Sequence, residues 1–369
     1  MKILVIDTSA RKGGALSILK DFLKYIDQND NGINWVFVIS TRDIIAHNKN
    51  IEIITSKFPV LNWLFRILWE MFAVPFLISR KEIDIVISLQ NTAMFITRKP
   101  VVLYVHQSLP FTEEKVKLPL RKMFKITFLR FFIGKSARRS EKVIVQTEWM
   151  KNALVRTYSI SDKQVVVIPP SVGRLVCKKT DVSNDCFKFF YPAGASSYKN
   201  FKVIIKAAEI LKKEGCTKFK IYLTIKGNEN RYAAHIKNEI LVKGLGDSLK
   251  LVGYIERAKV LNMYCSCILV YPSLIESFPL PLLEARMLGS VVISSDKPFA
   301  REILYNYQKG FFFNPYSPED LAQKMKYVMD NFSKINEIGF REEDFERYSE
   351  KETWGKIVRL LNNIGSRFK

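Results

Sequence analysis

The sequence predicts an α/β protein of two doubly wound, Rossmann-like domains facing each other across a cleft, and three observations predict it. Apolar runs of strand length alternate with helical periodicities along most of the chain. The alternation breaks at a polar, basic stretch near the middle and then restarts. Finally, 369 residues are too many for one ordinary core and suit two.

The first series starts at the N-terminus. Residues 2–7 are a short apolar run, 15–26 carry helical spacing, and 35–40, 83–89 and 101–106 read as strands. Residues 143–147 and 165–168 continue the pattern until Pro169-Pro170 ends it. From 171 to 185 no apolar period survives, as expected of a linker. This divides the chain into an N-terminal, acceptor-side domain (1–175) and a C-terminal domain (176–349). The second series has strands at 187–191, 219–225, 249–252, 268–271 and 290–294, with helices at 201–214, 231–242, 257–265 and 281–288. A last helix, 350–369, is expected to pack back on the N-terminal domain. In open α/β sheets ligands sit beyond the carboxyl ends of the strands, so function is sought in those loops.

Composition narrows the partners without naming one. Hydrophobic residues make up 48% and charged residues 25%, an ordinary globular balance. The 58 Lys and Arg against 36 Asp and Glu leave a formal charge of +22, which calls for an anionic partner: nucleic acid, anionic lipid or a phosphorylated substrate. Five cysteines without CxxC pairing suggest reduced thiols and no structural zinc. The N-terminus has no signal-peptide pattern, which suggests a cytoplasmic protein. Residues 60–78 are apolar enough to raise a membrane question. Arg66 and Glu70 interrupt them, each at a cost of about 2.5–3.5 kcal/mol in a bilayer. At a spacing of four the two can pair, so a buried or interfacial helix is expected.

Four places carry chemistry. The strand at 268–271 delivers a loop, 273–279, and Pro281 suits the first turn of a following helix whose free amides point back at that loop. Glu276 lies in the loop and Glu284 is expected in the helix's first turn, so the two carboxylates can address different ends of one ligand. Dipole capping by Glu284 and a solvated Glu276 is an equal alternative on spacing alone. The loop 191–201 brings Lys199 and Asn200 to another helix start, where a cation would stabilise a departing diphosphate. In the N-terminal half, the strand at 101–106 ends on His106, and Gly13-Gly14 gives a loop whose backbone can approach a ligand closely. Residues 115–142 interleave Lys and Arg with Leu, Met, Ile and Phe, either a surface for an anionic membrane or an ordinary covering helix.

The segment from Tyr271 to Ser295 resembles the Glu-x7-Glu signature of retaining glycosyltransferases of family 4. The matching residues are Pro272-Ser273, Glu276, Ser277-Phe278, Leu280-Pro281, Glu284-Ala285 and Gly289. Tyr191-Pro192-Ala193 followed by Lys199-Asn200 resembles a branch acting in surface-polysaccharide and O-antigen assembly. The resemblance implies the GT-B fold and transfer of a hexosyl-type sugar, with retention, from a nucleotide-diphosphate sugar to a saccharide hydroxyl. That acceptor is expected to be lipid-linked and the enzyme peripheral at the inner face of the membrane. It assigns Glu276 to the donor sugar, Glu284 to the ribose, the amides of Ser277, Phe278 and Leu280 with Lys199 and Asn200 to the diphosphate, and His106 to sugar and acceptor. No cofactor beyond the donor and no metal are expected, in keeping with the absence of an Asp-x-Asp cluster at the donor loop. Two departures stand out: Pro279 replaces the usual Gly and removes an amide, and the expected loop arginine is missing, with Arg174 or Arg231 as substitutes. A nucleotide-sugar epimerase or hydrolase of the same fold is the alternative. A nucleic-acid-binding protein is suggested only by charge, without a supporting motif.

Overall fold

The structure, a computed structural model, describes residues 1–11, 13–29, 31–41, 44–114, 120–173, 175–177, 186–339 and 343–368. The expectations for Arg174, for linker residues 178–185 and for the first five residues of 115–142 lie outside the described residues.

The chain forms two compact units. The first comprises Met1–Thr112, Leu120–Ser171 and Glu346–Lys369. Its elements run β1 (Lys2–Asp7), α1 (Gly13–Gln28), β2 (Asn34–Ile39), β3 (Ile51–Thr55), α2 (Trp63–Arg80), β4 (Ile85–Ser88), β5 (Val101–Tyr104), α3 (Leu120–Arg139), β6 (Lys142–Val145), α4 (Glu148–Tyr158) and β7 (Val165–Val167). All strand pairings are parallel, in the order β3-β2-β1-β4-β5-β6-β7. Central strands of such a sheet are covered on both faces, which is why β1 reads as an unbroken apolar run. Its residues nevertheless alternate. Leu4 and Ile6 join Val36, Val38 and Leu103 on one side, while Ile3 and Val5 join Trp35, Phe37 and Tyr104 on the other.

The second unit comprises Glu113–Pro119 and Val172–Phe345. Its elements are β8 (Phe187–Tyr191), α5 (Phe201–Lys213), β9 (Phe219–Leu223), α6 (Arg231–Val242), β10 (Leu249–Leu251), α7 (Arg257–Ser266), β11 (Ile268–Tyr271), α8 (Leu280–Met287), β12 (Val292–Ser295), α9 (Pro298–Ile303), β13 (Gly310–Phe313), α10 (Pro318–Asp330) and α11 (Phe332–Asn336). The sheet is again parallel, ordered β10-β9-β8-β11-β12-β13. A disulfide joins Cys177 to Cys265, which corrects the expectation that all the cysteines are reduced thiols. The two lie 88 residues apart, and only the fold brings their Cα atoms to 6.7 Å.

The final helix, α12 (Glu350–Arg367), belongs to the first unit. Ser349 caps it by accepting the Glu352 amide at 3.2 Å. Trp354, Ile357, Leu361 and Ile364 enter the core on the Trp35 side of the sheet, and Trp354 stacks at 5.1 Å on Phe22. The Thr353 hydroxyl donates to the Pro169 carbonyl at 2.9 Å.

Two helices on the other side of that sheet are unusual. In α2 the Arg66–Glu70 pair forms as expected, at 2.9 Å, but Glu70 is fully buried while Leu64, Leu68, Met71, Phe72 and Phe76 are exposed. Burial pushes the Glu70 carboxyl above its ordinary range, against the pull of Arg66. No helix among the described residues is long and apolar enough to cross a membrane. In α3, Gly134 faces the Tyr158 ring so closely that a Cβ there would lie 2.6 Å from it. The Tyr158 hydroxyl donates to the Arg130 carbonyl at 2.5 Å.

Because Trp354 is fully buried among Phe22 and Trp35, Trp354→Ala is expected to lower the stability of the first unit by about 3–5 kcal/mol. The denaturant midpoint of that unit's transition checks it; a loss below about 1 kcal/mol would mark α12 as an appendage.

Candidate active site

The second sheet reverses its winding direction between β8 and β11, which pair in parallel through Ile268 with Phe189 and Leu269 with Phe190. A crevice at the carboxyl ends of such a strand pair is where open α/β sheets bind ligands. The two loops singled out from the sequence leave from these two strands.

The loop after β8 closes with a 3₁₀ turn, Ser197–Lys199, and Asn200 then adopts φ 54°, a left-handed conformation that asparagine tolerates. The Tyr191 hydroxyl donates to the Lys199 carbonyl at 3.0 Å, tying the end of the loop to its own strand. The Asn200 amide donates to the Pro315 carbonyl at 2.8 Å, so its side chain is engaged in holding the loop after β13.

The loop after β11 meets the first one. The Leu274 amide donates to the Tyr198 carbonyl at 2.8 Å, and the Lys199 ammonium pairs with Oε1 of Glu276. The same oxygen accepts from the Tyr271 hydroxyl at 2.8 Å and the Ser273 hydroxyl at 2.6 Å. Lys199 Nζ also lies 5.5 Å from the Tyr198 ring centre and 6.0 Å from that of Tyr271. Burial, and after it the Glu276 charge, hold the Tyr271 phenol well above its usual pKa, so it remains a neutral donor. Tyr191 is raised by the same two causes.

Pro279, at φ −84° and ψ 78°, forms an inverse γ-turn closed by the Leu280 amide donating to the Phe278 carbonyl at 3.1 Å. Of the amides expected to meet a diphosphate, that of Leu280 is therefore already engaged. Ser277 and Phe278 lie in the loop itself, directly before this turn. Helix α8 starts at Leu280 with Pro281 in its first turn, as the sequence suggests. Glu284 falls in the second turn, which corrects its expected place in the first. The helix includes Leu280 and so begins one residue earlier than Pro281.

Glu284 is buried and pairs at 2.7 Å with Arg257, the first residue of α7. Tyr264, two turns further along α7, hydrogen-bonds the same carboxylate, and burial and the Glu284 charge raise its phenol. Sequence reasoning missed Arg257 and Tyr264. Their spacing of seven on one helix face is the signal that was available. Arg231, one of the two proposed substitutes for the missing arginine, opens α6. Its neighbour Asn230 caps that helix through the Ala233 amide at 3.0 Å and donates to the Ala195 carbonyl at 2.8 Å. Among the described residues, no three His, Cys, Asp or Glu side chains are grouped as metal ligands would be.

In the first unit the reversal lies between β1 and β4. Gln90, after β4, accepts from the Thr8 amide at 3.2 Å and its hydroxyl at 2.9 Å, and donates to Glu70 at 2.8 Å. Burial raises the neighbouring Asp7 to about 6. Gly13 and Gly14 form the first turn of α1, not a loop, because the helix starts two residues earlier than the apolar period does. Their contribution is thus that of a helix N-terminus.

His106 follows β5. Its amide donates to Asn91 Oδ1 at 2.8 Å, and the Asn91 amide nitrogen lies 3.1 Å from Nε2. With Nε2 accepting, the neutral ring carries its proton on Nδ1, which is buried and has no partner among the described residues. Desolvation lowers the imidazole to about 4.

Two family models match this chain: that of glycosyl transferases group 1 over residues 177–342, and that of glycosyltransferase family 4 over residues 13–173. An O-antigen chain mannosyltransferase of Salmonella typhimurium is 24% identical over 305 residues, covering 81% of this chain and 79% of that protein. Two solved structures share the fold. The Anabaena protein HepE in complex with UDP-glucose matches 98% of this chain and 100% of its own, at 19% identity and TM-score 0.69. A sucrose-phosphate synthase of Thermosynechococcus elongatus matches 99% of each chain at 13% identity and TM-score 0.76. With two parallel sheets of this winding, and with matches that run from residue 13 to residue 342, the chain belongs to the glycosyltransferases of GT-B fold and carries a group 1 module as its C-terminal half.

Proposed function

We propose that this glycosyltransferase moves a hexosyl-type sugar from a nucleotide-diphosphate sugar to a hydroxyl of a lipid-linked saccharide, with retention of configuration, in surface-polysaccharide assembly. The observation that carries the reading is the meeting of Lys199 with Glu276 at the reversal of the second sheet, with Glu284 on the helix that follows the same loop. The relative that makes O-antigen chains and the fold neighbour bound to UDP-glucose support the pathway and the donor class.

In this reading Lys199 and the first turn of α8 stabilise the diphosphate as it departs, since a fixed charge in a partly dry site needs little reorganisation at the moment of reaction. Loop residues Ser277 and Phe278 line the diphosphate, and Asn200 fixes the turn that presents Lys199. Glu276, held by two neutral hydroxyls, offers its remaining oxygen to the sugar. Glu284, oriented by Arg257 and Tyr264, takes the ribose. His106, in the first unit, is assigned to sugar and acceptor as a neutral hydrogen-bond donor through Nδ1, while the helix start at Gly13-Gly14 offers amides to an anionic group. The reaction needs no metal in this scheme: Lys199 takes the charge. The protein works at the inner face of the membrane, and the cations of 120–142 meet anionic lipid there.

Lys199→Ala and Glu284→Ala are each expected to lower transfer by about 10²–10³-fold, the loss typical of one preorganised charge-stabilising group. A thermal-shift screen with nucleoside diphosphates should show wild type stabilised and both variants much less so, each shift read against that variant's own melting point in buffer. Unchanged turnover in both variants removes the assignment.

The three imidazoles, His47, His106 and His235, make a second check tractable by NMR. One is expected to titrate near 4, and His106→Gln to remove it. Because the folded value lies below the unfolded one, His106 favours the fold fully above about 6.5, and this contribution is lost as pH falls toward 4. A His106 midpoint near 6.5 would contradict the neutral-donor role.

A further inference from the structure

Helix α7 is thinly anchored. Of its ten residues only Tyr264 is fully buried, whereas α5 buries seven of thirteen. A helix that withdraws so little apolar surface from water has low local stability, and the side chains it presents are only as well placed as its other ties allow. Those ties gather at its carboxyl end. The Tyr264 ring lies 5.8 Å from that of Phe190, the Ser290 hydroxyl donates to the Tyr264 carbonyl at 2.6 Å, and Cys265 is bonded to Cys177. Cys177 precedes β8, so the covalent loop takes in β8, α5, β9, α6, β10 and α7. At the other end of the helix, Arg257 reaches Glu284 at 2.7 Å through a side chain that is 63% exposed, and Tyr264 bonds the same carboxylate. Both bridge cysteines are half-buried and within reach of a small thiol, whereas the free thiol of Cys267 is buried.

We propose that the Cys177–Cys265 bridge is a redox clamp on α7, which sets the donor affinity of the site through Arg257 and Tyr264. The role of Glu284 and the reducing compartment both rest on the function proposed above. Where glutathione and dithiols keep thiols reduced, a disulfide acts as a sensor and not as a permanent staple. The exchange balances. One thiolate of an external dithiol attacks a bridge sulfur and forms a mixed disulfide, its second thiolate then displaces the protein sulfur, and the dithiol leaves oxidised. The two cysteines take up the electron pair and, with protons from solvent, become thiols; oxidised glutathione reverses the step by taking the pair back. With the bridge open, α7 loses its one covalent tie, and the population in which Arg257 and Tyr264 flank Glu284 falls. A ligand that needs all three groups then binds only that fraction, so its apparent dissociation constant rises as the inverse of the fraction. Glu284 itself remains buried on α8, so the site is weakened and not destroyed.

The test uses the full chain, purified without reductant and measured before and after treatment with dithiothreitol. Alkylation followed by mass spectrometry is expected to count three free thiols before treatment and five after it. Calorimetry with a panel of nucleoside diphosphates is expected to show the dissociation constant of the best binder rising about three- to tenfold on reduction, as for a competent fraction of about a third to a tenth. Oxidised glutathione should restore it. Cys177→Ser is expected to bind as the reduced protein does and to ignore dithiothreitol, while Cys186→Ser responds like wild type. Hydrogen exchange over 257–266 should quicken on reduction, with α10 unchanged. Because reduced wild type carries the same expectation, a Cys177→Ser protein that fails to fold leaves the test intact. Three results overturn the proposal: five free thiols that oxidised glutathione does not pair, exchange over α7 that reduction leaves unchanged, or a nucleotide affinity that reduction does not move. Failure of the donor reading looks different. No nucleotide would bind in either redox state while exchange over α7 still followed the bridge, which sinks the donor assignment and keeps the clamp.

Discussion

The candidate site depends on one ion pair, between a lysine that ends the loop after β8 and a glutamate in the loop after β11. Neither side chain is deeply buried and neither is freely solvated, which places the pair between the weak surface case and the costly interior one. What makes it stable is the frame around the carboxylate. The Tyr271 and Ser273 hydroxyls occupy one oxygen together with Lys199, the Tyr191 hydroxyl ties the first loop to its own strand, and the Leu274 amide ties the two loops together. A cation so held cannot relax toward solvent, and a charge already in place is what diphosphate departure requires.

The first unit solves a different problem. Its interior carboxylate, Glu70, accepts from Arg66, from Gln90 and from the Met94 amide, and Gln90 in turn holds Thr8. This network links α2 to both loops flanking the reversal of the sheet. The buried face of the helix also carries Trp69, Val74 and Ile78, so α2 is apolar on both faces. Orienting the Arg66–Glu70 pair toward the sheet edge forces the residues on the opposite face outward, and those residues are Leu, Met and Phe.

Much of this was legible in the sequence, and the failures have physical causes. Buried parallel strands are unbroken apolar runs, so β1, β5, β8 and β11 were evident, and with them the loops bearing His106, Lys199 and Glu276. Strand β3 was missed because it is an edge strand, half-buried and interrupted by Glu52. Strand β13 and helix α10 also went unread, although Pro318 and the Ser317 cap mark the start of the helix. The partners of Glu284 escaped notice because they come from α7, and motif reading along one segment cannot see a contact between two helices. The same holds for Cys177 and Cys265. Composition flagged the apolar run of α2 but is silent on which of its residues face inward, since that is decided by Glu70 and its partners across the fold.

Gly134 sets a dimension of the molecule. Because residue 134 has no Cβ, the Tyr158 ring of α4 rests against the backbone of α3, and its hydroxyl reaches the Arg130 carbonyl one turn earlier. The elevation of the outer Phe and Arg side chains over the strands beneath is thus governed by the thickness of a single aromatic ring. Any larger residue at this position would lift the whole cationic ridge, so the tolerance of that surface to mutation is decided on its hidden underside.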